Sequence, residues 1–392
     1  MRGSLRRRGE DSWQFRVFLG VDPETGKKLY KSHALGGTKK QVEKKCTEIL
    51  GTLDTGSYVE PAKETVGTYL ARWLRDYVEP TVTRTSTRRS YHMIVERHLI
   101  PSLGHLLLQR LTPPLVQQYY AAQLTGGRVD ADGKRTDKPL SRTTVAHHHA
   151  VLHAALESAV KWGLVGRNVA DAVDPPRIAR TEMTTWTPDE ARRFLTTAES
   201  HRSYPLLLLA LTTGLRAGET FGLRWQDVDL DAGTLAVQQT LEKAGPEPRF
   251  GTPKTKKSRR VVTLSPRVVA VLRQHKARQN ADRLTLGPGW YDFGLVFTVF
   301  DGKPLRPGNF RRDVLDPFIH KAGVPRIRLH DLRHSCATLL LGANVHPKIV
   351  SERLGHSNIG ITMDLYSHAT MTMQREAANV IETSLLAGGN AG

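Results

Sequence analysis

Residues 330–368 read HDLRHSCATLLLGANVHPKIVSERLGHSNIGITMDLYSH, and this stretch carries the strongest signal in the chain. His330 and Arg333 lie three residues apart, so a helix would place both side chains on one face. His356 follows in the segment LGH, and Tyr366 in the segment DLYSH. The stretch therefore predicts a helical region that gathers two imidazoles, a guanidinium and a phenol.

Two segments upstream supply further cations: TTGLRAGET contains Arg216, and TPKTKKSRRVVTL contains Lys254. A phosphodiester attacked at phosphorus develops negative charge on its non-bridging oxygens, and fixed cations lower that barrier. Arg216 and Arg333 suit this task because a guanidinium stays charged and makes two parallel hydrogen bonds. Arg216 also opens a predicted helix whose backbone N–H groups would face the same site. One turn later, Glu219 is expected either to orient an arginine or to form a surface salt bridge.

The remaining groups of this set suit proton transfer and nucleophilic attack. His330 is expected to transfer a proton, because an unperturbed imidazole titrates near neutrality. The phenol of Tyr366, with an ordinary pKa of about 10, becomes a nucleophile only with help from cations and a proton acceptor. The residue types therefore indicate phosphodiester chemistry that would need neither metal nor ATP.

Composition favours a polyanionic partner. The 392 residues contain 57 Lys and Arg against 38 Asp and Glu, a formal net charge of +19. DNA or RNA is the first candidate for such a chain, and a merely solvated basic surface is the alternative. The length predicts two or three domains. With only Cys46 and Cys336, a disulfide framework is excluded, and both thiols are expected to be small core residues in a reducing cytoplasm.

Targeting signals are weak throughout the chain. No apolar run approaches the ~20 residues that a membrane span requires, and the charged N-terminus is not followed by an apolar signal core. The sequence therefore predicts a cytoplasmic protein with no membrane partner.

Residues 1–60 are expected to form a small sheet with one helix. Trp13, Phe15, Val17 and Leu19 alternate with polar residues as in a strand, and the turn signal DPETG leads into a second strand near residues 27–35. SLRRRG could supply a third strand. Thr38 is predicted to cap the helix. Its apolar stripe would comprise Val42, Cys46, Ile49, Leu50 and Leu53.

The rest of the chain reads as a helical domain (63–175), a linker (176–186), a mostly helical domain with a small antiparallel sheet (187–371) and a C-terminal tail or helix (372–392). Helices are predicted over 65–78 and 83–99, from Pro113, and from Ser141 to Trp162. The segment TPDE at 187–190 is a capping box, and strands are expected near 227–240 and 258–264. The predicted fold class is multidomain α+β.

The order and the residue patterns of these motifs closely resemble those of the tyrosine recombinases of the phage integrase family. The resemblance is strong over 187–370, moderate over the helical domain and looser over the N-terminal domain. It implies the tyrosine-recombinase catalytic fold, in which Lys254 protonates the departing 5′-oxygen, His356 donates to the scissile phosphate and Tyr366 attacks phosphorus. The full catalytic set would be Arg216, Lys254, His330, Arg333, His356 and Tyr366.

The resemblance also implies the overall reaction and its partners. It describes a site-specific DNA integrase that acts through a 3′-phosphotyrosyl intermediate and a Holliday junction, without a cofactor, to move a phage or integrative plasmid. Four protomers would hold double-stranded DNA at core and arm sites, and a host DNA-bending protein and an excisionase are candidate partners. The apolar C-terminal segment would pack on a neighbouring protomer, or alternatively on its own domain.

In the resemblance, the N-terminal sheet enters the major groove of arm-site DNA. Its cations would be available for phosphates and base edges. These cations are Arg6, Arg7, Arg8, Arg16, Lys27, Lys28 and Lys31.

Three other functions are weighed against an integrase. A relaxing topoisomerase shares a similar chemical set, but the small N-terminal domain, the helical domain and the motif order argue against it. A DNA-binding regulator with an inactive core is disfavoured because all six catalytic positions are present. A metal-dependent transposase is disfavoured because no acidic triad stands in a suitable context.

Two local clusters invite a metal interpretation. His147, His148, His149 and His153 crowd one predicted helix, but adjacent histidines point in different directions, so they are expected to face DNA or solvent. The second cluster alternates along a strand edge and could suggest magnesium, but a solvated edge is expected. It comprises Asp227, Asp229 and Asp231.

Overall fold

The computed structural model describes residues 3–22, 25–54, 63–128, 130, 136–178, 183–245, 247–253, 259–356 and 358–360, with positions 363, 379, 381, 382 and 385. The chain divides into two compact units, Met1–Arg180 and Thr181–Gly392. Within the described residues, no helix combines the length and the apolar character needed to cross a membrane.

The N-terminal residues form the predicted sheet, including its third strand. The strands are antiparallel in sequence order: β1 (Gly3–Arg7), β2 (Ser12–Val21) and β3 (Lys28–Gly36). Helix α1 (Lys39–Asp54) supplies Val42 and Cys46 to a small core with Phe15 and Val17 of β2. The alternation read from the sequence therefore identified the buried face of the sheet correctly.

The helical domain follows in the same unit. Its main helices are α2 (Val66–Trp73), α3 (Thr85–Ile94), α4 (Pro113–Gly126) and α5 (Arg142–Lys161). Short π-helical turns extend α2 and α3, at Leu74–Val78 and Val95–Leu99. The Ser141 side chain accepts a hydrogen bond from the Thr144 amide, so it caps α5 as predicted. Thr112 precedes α4 as expected, but its side chain makes no capping hydrogen bond.

The second unit begins with three helices: α6 (Pro188–Ala198), α7 (Tyr204–Thr213) and α8 (Ala217–Phe221). Thr187 and Glu190 form the predicted capping box at α6. Helix α7 has the sequence YPLLLLALTT, which is apolar on every side, and it is buried almost throughout. It therefore forms the centre around which the other elements of the second unit pack.

Two small antiparallel sheets follow instead of one. Strands β4 (Val228–Asp229), β5 (Thr234–Ala236) and β8 (Val261–Thr263) form the first, and β6 (Thr240–Lys243) and β7 (Arg249–Gly251) form the second. The strands predicted near 227–240 and 258–264 are confirmed, but β7 was not anticipated. Its sequence, RFG, is too short to show strand periodicity.

Helices complete the described part of the unit: α9 (Pro266–Leu286), α10 (Asp316–Ala322), α11 (Asp331–Gly342) and α12 (Pro347–Leu354). A small core of Ala337, Leu341, Val350 and Leu354 holds α11 against α12. This helix pair carries three residues of the predicted catalytic set, and it brings them towards the end of α7.

Candidate active site

Arg216 lies directly before α8, where its contacts fix the guanidinium from two sides. Its Nη1 donates to Glu219 Oε1 at 2.8 Å, and its Nη2 donates to the carbonyl of Gly355 at 3.0 Å. The backbone N–H of Arg216 donates to Glu219 Oε2 at 3.0 Å. That amide is therefore occupied by a carboxylate and does not face a ligand, contrary to the expectation from the sequence. About a third of the Arg216 side chain remains exposed.

Glu219 is the orienting group that the sequence suggested as one of two alternatives. The side chain is 4% exposed, which excludes a surface salt bridge. Burial alone would raise the pKa of Glu219, but hydrogen bonds from Arg260 and Arg216 outweigh it and hold the pKa below its ordinary value. The carboxylate therefore stays ionised and holds Arg216 in place.

Arg333 projects from the first turn of α11 into the protein interior. It is 2% exposed, and its Nη1 donates to the carbonyl of Gly214 at 2.8 Å. Its Nη2 is buried with no hydrogen-bond partner among the residues that the structure describes. Burial and the nearby positive charge of Arg216 lower the pKa of Arg333 to about 9. A buried cationic N–H without an acceptor is costly, so this nitrogen is suited to an anionic ligand.

Gly214 explains how the end of α7 fits between the two arginines. It ends the helix in the left-handed region, with φ +63°. A Cβ here would lie 2.2 Å from Leu354 Cδ2 and 3.3 Å from Cys336 Sγ. Only glycine therefore satisfies both the backbone conformation and the close approach of α11 and α12.

His330 and His334 form a pair at the start of α11, with ring centroids 5.1 Å apart. Desolvation, His334 and Arg333 lower the pKa of His330 to about 4, although the residue is exposed overall. His330 is therefore neutral near pH 7. Its pKa lies below the near-neutral value that the sequence suggested. A neutral imidazole can still accept a proton.

His356 follows Gly355, which ends α12 in the left-handed region with φ +67°. The imidazole is 9% exposed, and desolvation together with Arg333 and Arg216 lowers its pKa to about 4. Because the Gly355 carbonyl binds Arg216, the turn that carries His356 is tied directly to the first arginine. The structure thus brings Arg216, Arg333 and His356 together, with His330 beside them.

Lys254 and Tyr366 lie outside the described residues, as do the rival Lys256 and Lys257. Their predicted roles, general acid and nucleophile, stay predictions.

Arg260 is a member of the site that the sequence prediction missed. It lies before β8, its side chain is 6% exposed, and its Nη2 donates to Glu219 Oε2 at 3.0 Å. The available signal was the position of Arg260 within SRRVVTL, where the alternation of a strand sends neighbouring residues to opposite faces. Arg259, its neighbour, is exposed.

The histidine cluster on α5 is partly a core feature, so the expectation that it faces DNA or solvent was wrong for His148. That residue is fully buried, its ring shares a hydrogen bond with the Tyr119 hydroxyl at 2.8 Å, and its centroid lies 4.6 Å from that of the tilted His98 ring. His153 pairs with Asp171 at 2.8 Å. Within the described ranges, no group of three or more potential ligands could hold a metal ion.

The aspartate series also differs from a simple solvated edge. Asp227 is 9% exposed in its side chain and accepts two hydrogen bonds from Arg224, at 2.6 and 3.0 Å. Asp229 accepts hydrogen bonds from two backbone amides of the following turn, and Asp231 pairs with Arg273 at the surface. These carboxylates have structural partners. Both cysteines are buried, as predicted.

The seven cations predicted to contact DNA do not share one face of the N-terminal sheet. Strand register places Arg6 and Arg16 on the face opposite α1, and Lys28 lies on that face of β3. The Arg16 guanidinium stacks over Tyr30, 4.2 Å from the ring centroid. Arg7 lies on the other face and donates to two carbonyls of the adjacent turn.

Three predicted arm-site cations lie away from the outward face. Lys31 stands opposite Val17 on the face covered by α1. Arg8 follows β1 and donates to Gln14 Oε1, and Lys27 precedes β3 in the turn.

Two family models match the chain. The phage integrase family matches residues 185–373, and the phage integrase N-terminal SAM-like domain matches residues 65–122. The chain belongs to the phage integrase family. It is therefore a tyrosine-type site-specific recombinase, as the motif order predicted.

Integrases and recombinases of similar length are related to the whole chain. A tyrosine recombinase XerC-like protein of Caldanaerobacter subterraneus subsp. tengcongensis is 28% identical over 391 residues, 96% of each chain. An integrase of Streptomyces ambofaciens is 29% identical and covers 90% of this chain and 88% of its own.

Solved structures of integrases share the fold. The integrase of transposon Tn1549, in complex with transposon right end DNA, aligns with a TM-score of 0.65 at 21% identity and covers 82% of this chain and 99% of its own. A lambda integrase tetramer bound to a Holliday junction aligns with a TM-score of 0.57 at 18% identity, over 93% and 95% of the two chains.

Proposed function

We propose that this recombinase cleaves one DNA strand at a time through Tyr366, and that Arg216, Arg333 and His356 hold the scissile phosphate. The observation that carries the proposal is the buried Nη2 of Arg333, which lacks a hydrogen-bond partner among the described residues, together with the neighbouring Arg216, whose side chain is about one-third exposed. Two neighbouring guanidinium groups suit the two non-bridging oxygens of a phosphodiester.

The chemical step balances without an outside reactant. The Tyr366 oxygen forms a bond to phosphorus, the bond from phosphorus to the 5′-oxygen breaks, and the phenol proton passes to an acceptor, for which neutral His330 is the candidate. Lys254 supplies a proton to the departing 5′-oxygen. A 5′-hydroxyl from a partner duplex then attacks the 3′-phosphotyrosyl link and restores the phosphodiester, so the bond energy is conserved.

Double-stranded DNA is the proposed substrate, at core sites and at arm sites. Support comes from the net charge of +19, from the outward face of the N-terminal sheet with Arg6, Arg16 and Lys28, and from the DNA-bound integrase of Tn1549. The proposed domains are those expected from the sequence, 1–60 for arm DNA, 63–175 for core DNA and 187–371 for catalysis, except that Trp186, the last residue of the expected linker, packs in the core of the catalytic unit.

Assembly as four protomers on two duplexes is proposed by analogy with the lambda integrase tetramer. Within the C-terminal tail, the described apolar residues Ile381 and Leu385 are 61% and 75% exposed, and they stand four residues apart. Helical residues at this spacing share one face, which suits packing on a neighbouring protomer. A host DNA-bending protein and an excisionase are further proposed partners.

The proposal is tested by trapping the covalent DNA adduct on a nicked attachment-site duplex. Tyr366→Phe should abolish the adduct and leave specific DNA binding measurable, whereas Tyr291→Phe, an exposed tyrosine in the same unit, should form the adduct normally. An adduct formed at the usual rate by Tyr366→Phe would reject the assignment. Two duplexes of different length should yield joined products, which a relaxing topoisomerase would not make.

A further inference from the structure

Arg260 is a buried cation that lies outside the proposed phosphate clamp. Its side chain is 6% exposed, and its Nη2 donates to Glu219 Oε2 at 3.0 Å. Its Nε donates to the backbone carbonyl of Arg353 at 2.6 Å. Burying a guanidinium costs it its hydration, and these hydrogen bonds to a carboxylate and a carbonyl compensate for that loss.

These contacts join three separate parts of the chain. Arg260 comes just before β8, Glu219 lies on α8, and Arg353 is near the end of α12, two residues before the glycine whose carbonyl binds Arg216. The Arg353 side chain in turn donates to the carbonyls of Thr212 and Thr263. Hydrogen bonds of Arg260 and Arg353 therefore connect β8, the start of α8 next to Arg216, and the end of α12 next to His356.

Glu219 shows what Arg260 contributes electrostatically. The carboxylate serves two arginines: Oε1 binds Arg216 Nη1, and Oε2 binds both the Arg216 amide and Arg260 Nη2. Without Arg260, one buried negative charge would face Arg216 alone and would neutralise it. With Arg260, the three guanidinium groups of Arg216, Arg260 and Arg333 outnumber the single carboxylate.

We infer that Arg260 is a positioning residue for strand cleavage, which holds Glu219 so that Arg216 keeps both its orientation and its positive charge for the phosphate. The inference rests on the proposed function, because it takes Arg216 as a phosphate clamp. Arg260 itself need not touch the DNA.

The test compares strand cleavage by Arg260→Lys on two substrates that differ at the scissile position. One carries the natural phosphate, and the other carries a methylphosphonate, in which a methyl group replaces one charged oxygen. Lysine keeps the charge but cannot bind Glu219 and the Arg353 carbonyl in the same planar arrangement. On the natural phosphate we expect cleavage to fall roughly 10- to 100-fold, the usual effect of misplacing a clamp by a fraction of an ångström.

On the methylphosphonate the same variant should lose only about threefold, because a neutral centre demands less of a charged clamp. Arg259→Lys is the matched control, since Arg259 is adjacent and exposed, and its rates should stay within about twofold on both substrates. Equal losses for Arg260→Lys on the two substrates would overturn the inference, since a general structural defect does not distinguish them.

A reference variant separates this inference from the proposed function. Arg216→Lys should also lose less on the methylphosphonate; if it does not, the phosphate clamp itself is refuted. If Arg216→Lys behaves as expected and Arg260→Lys does not, only the role of Arg260 fails. Should Arg260→Lys not fold, as judged by its thermal unfolding, Arg260→Gln retains an amide donor for Glu219, and the same comparison of substrates decides.

Discussion

Replacing Gly214 with alanine tests how tightly the end of α7 is built into the site. Gly214 has φ +63°, and an added Cβ would meet Leu354 Cδ2 at 2.2 Å. The left-handed conformation costs an alanine about 1–2 kcal/mol. Overpacking against a fully buried leucine costs a further ~1–3 kcal/mol. We therefore expect Gly214→Ala to lower the free energy of unfolding by roughly 2–5 kcal/mol.

The assay is calorimetric unfolding of the full chain. For a domain of about 150–250 residues, each kcal/mol shifts Tm by roughly 2–4 °C, so the catalytic transition should fall by about 4–20 °C. Gly342→Ala is the matched control, because no atom lies within 4 Å of its added Cβ and its φ is not in the left-handed region. That control should be neutral or slightly stabilising, since alanine is the better helix former.

The same substitution should affect cleavage more than stability alone predicts. The Gly214 carbonyl accepts the Nη1 hydrogen bond of Arg333, so a shift of this turn moves the proposed phosphate clamp. The reasoning is refuted if Gly214→Ala unfolds within a degree or two of the parent protein and cleaves normally.

Three further predictions concern single side chains. Arg333→Lys should reduce covalent adduct formation roughly 10²- to 10³-fold with DNA binding retained, and a loss below tenfold would count against the clamp. The pKa of His356 is lowered from 6.5 to about 4, so its neutral form stabilises the fold above pH 6.5, and that stability is lost as the pH falls towards 4. His356→Gln should therefore show a smaller drop in Tm between pH 6.5 and 4 than the parent protein, and an unchanged drop would contradict the assignment. Tyr119→Phe removes a hydrogen bond to buried His148 and should lower the free energy of unfolding in urea by about 1–3 kcal/mol. Tyr77→Phe, at an exposed position, should change it by no more than about 0.5 kcal/mol. Equal effects would show that the Tyr119–His148 hydrogen bond does not stabilise the helical domain.

Local signals in the sequence predicted the elements well wherever a short-range cause determines them. Ser141 and Thr187 cap helices as expected, because each accepts a hydrogen bond from an amide three residues ahead. Alternation in β2 predicted the buried Phe15 and Val17. Strand β7 pairs with β6, the strand just before it in the chain, but it escaped prediction because three residues are too few to show an alternation of their own.

The site was predictable in its residue types but not in its electrostatics. The order of motifs singled out Arg216, Arg333 and His356, which the structure brings together. Strand alternation could separate Arg260 from Arg259, but the pairing of Arg260 with Glu219 and the low pKa of His330 could not be read from the sequence. Both depend on which charges and which buried surface surround a side chain. His148 was misjudged for the same reason: the packing of its helix, and not its neighbours in sequence, buries it.

Trp186 determines where the two halves of the protein can be separated in the laboratory. Its indole is 1% exposed, donates to the Pro325 carbonyl at 2.9 Å and belongs to the main core, while its amide donates to Ser335 Oγ at 3.1 Å. A recombinant fragment that begins at the capping box would therefore start one residue too late and leave a hole the size of an indole. A fragment that begins a few residues earlier keeps the Trp186 side chain in the core, and it offers the better starting point for crystallisation or for a split-protein switch.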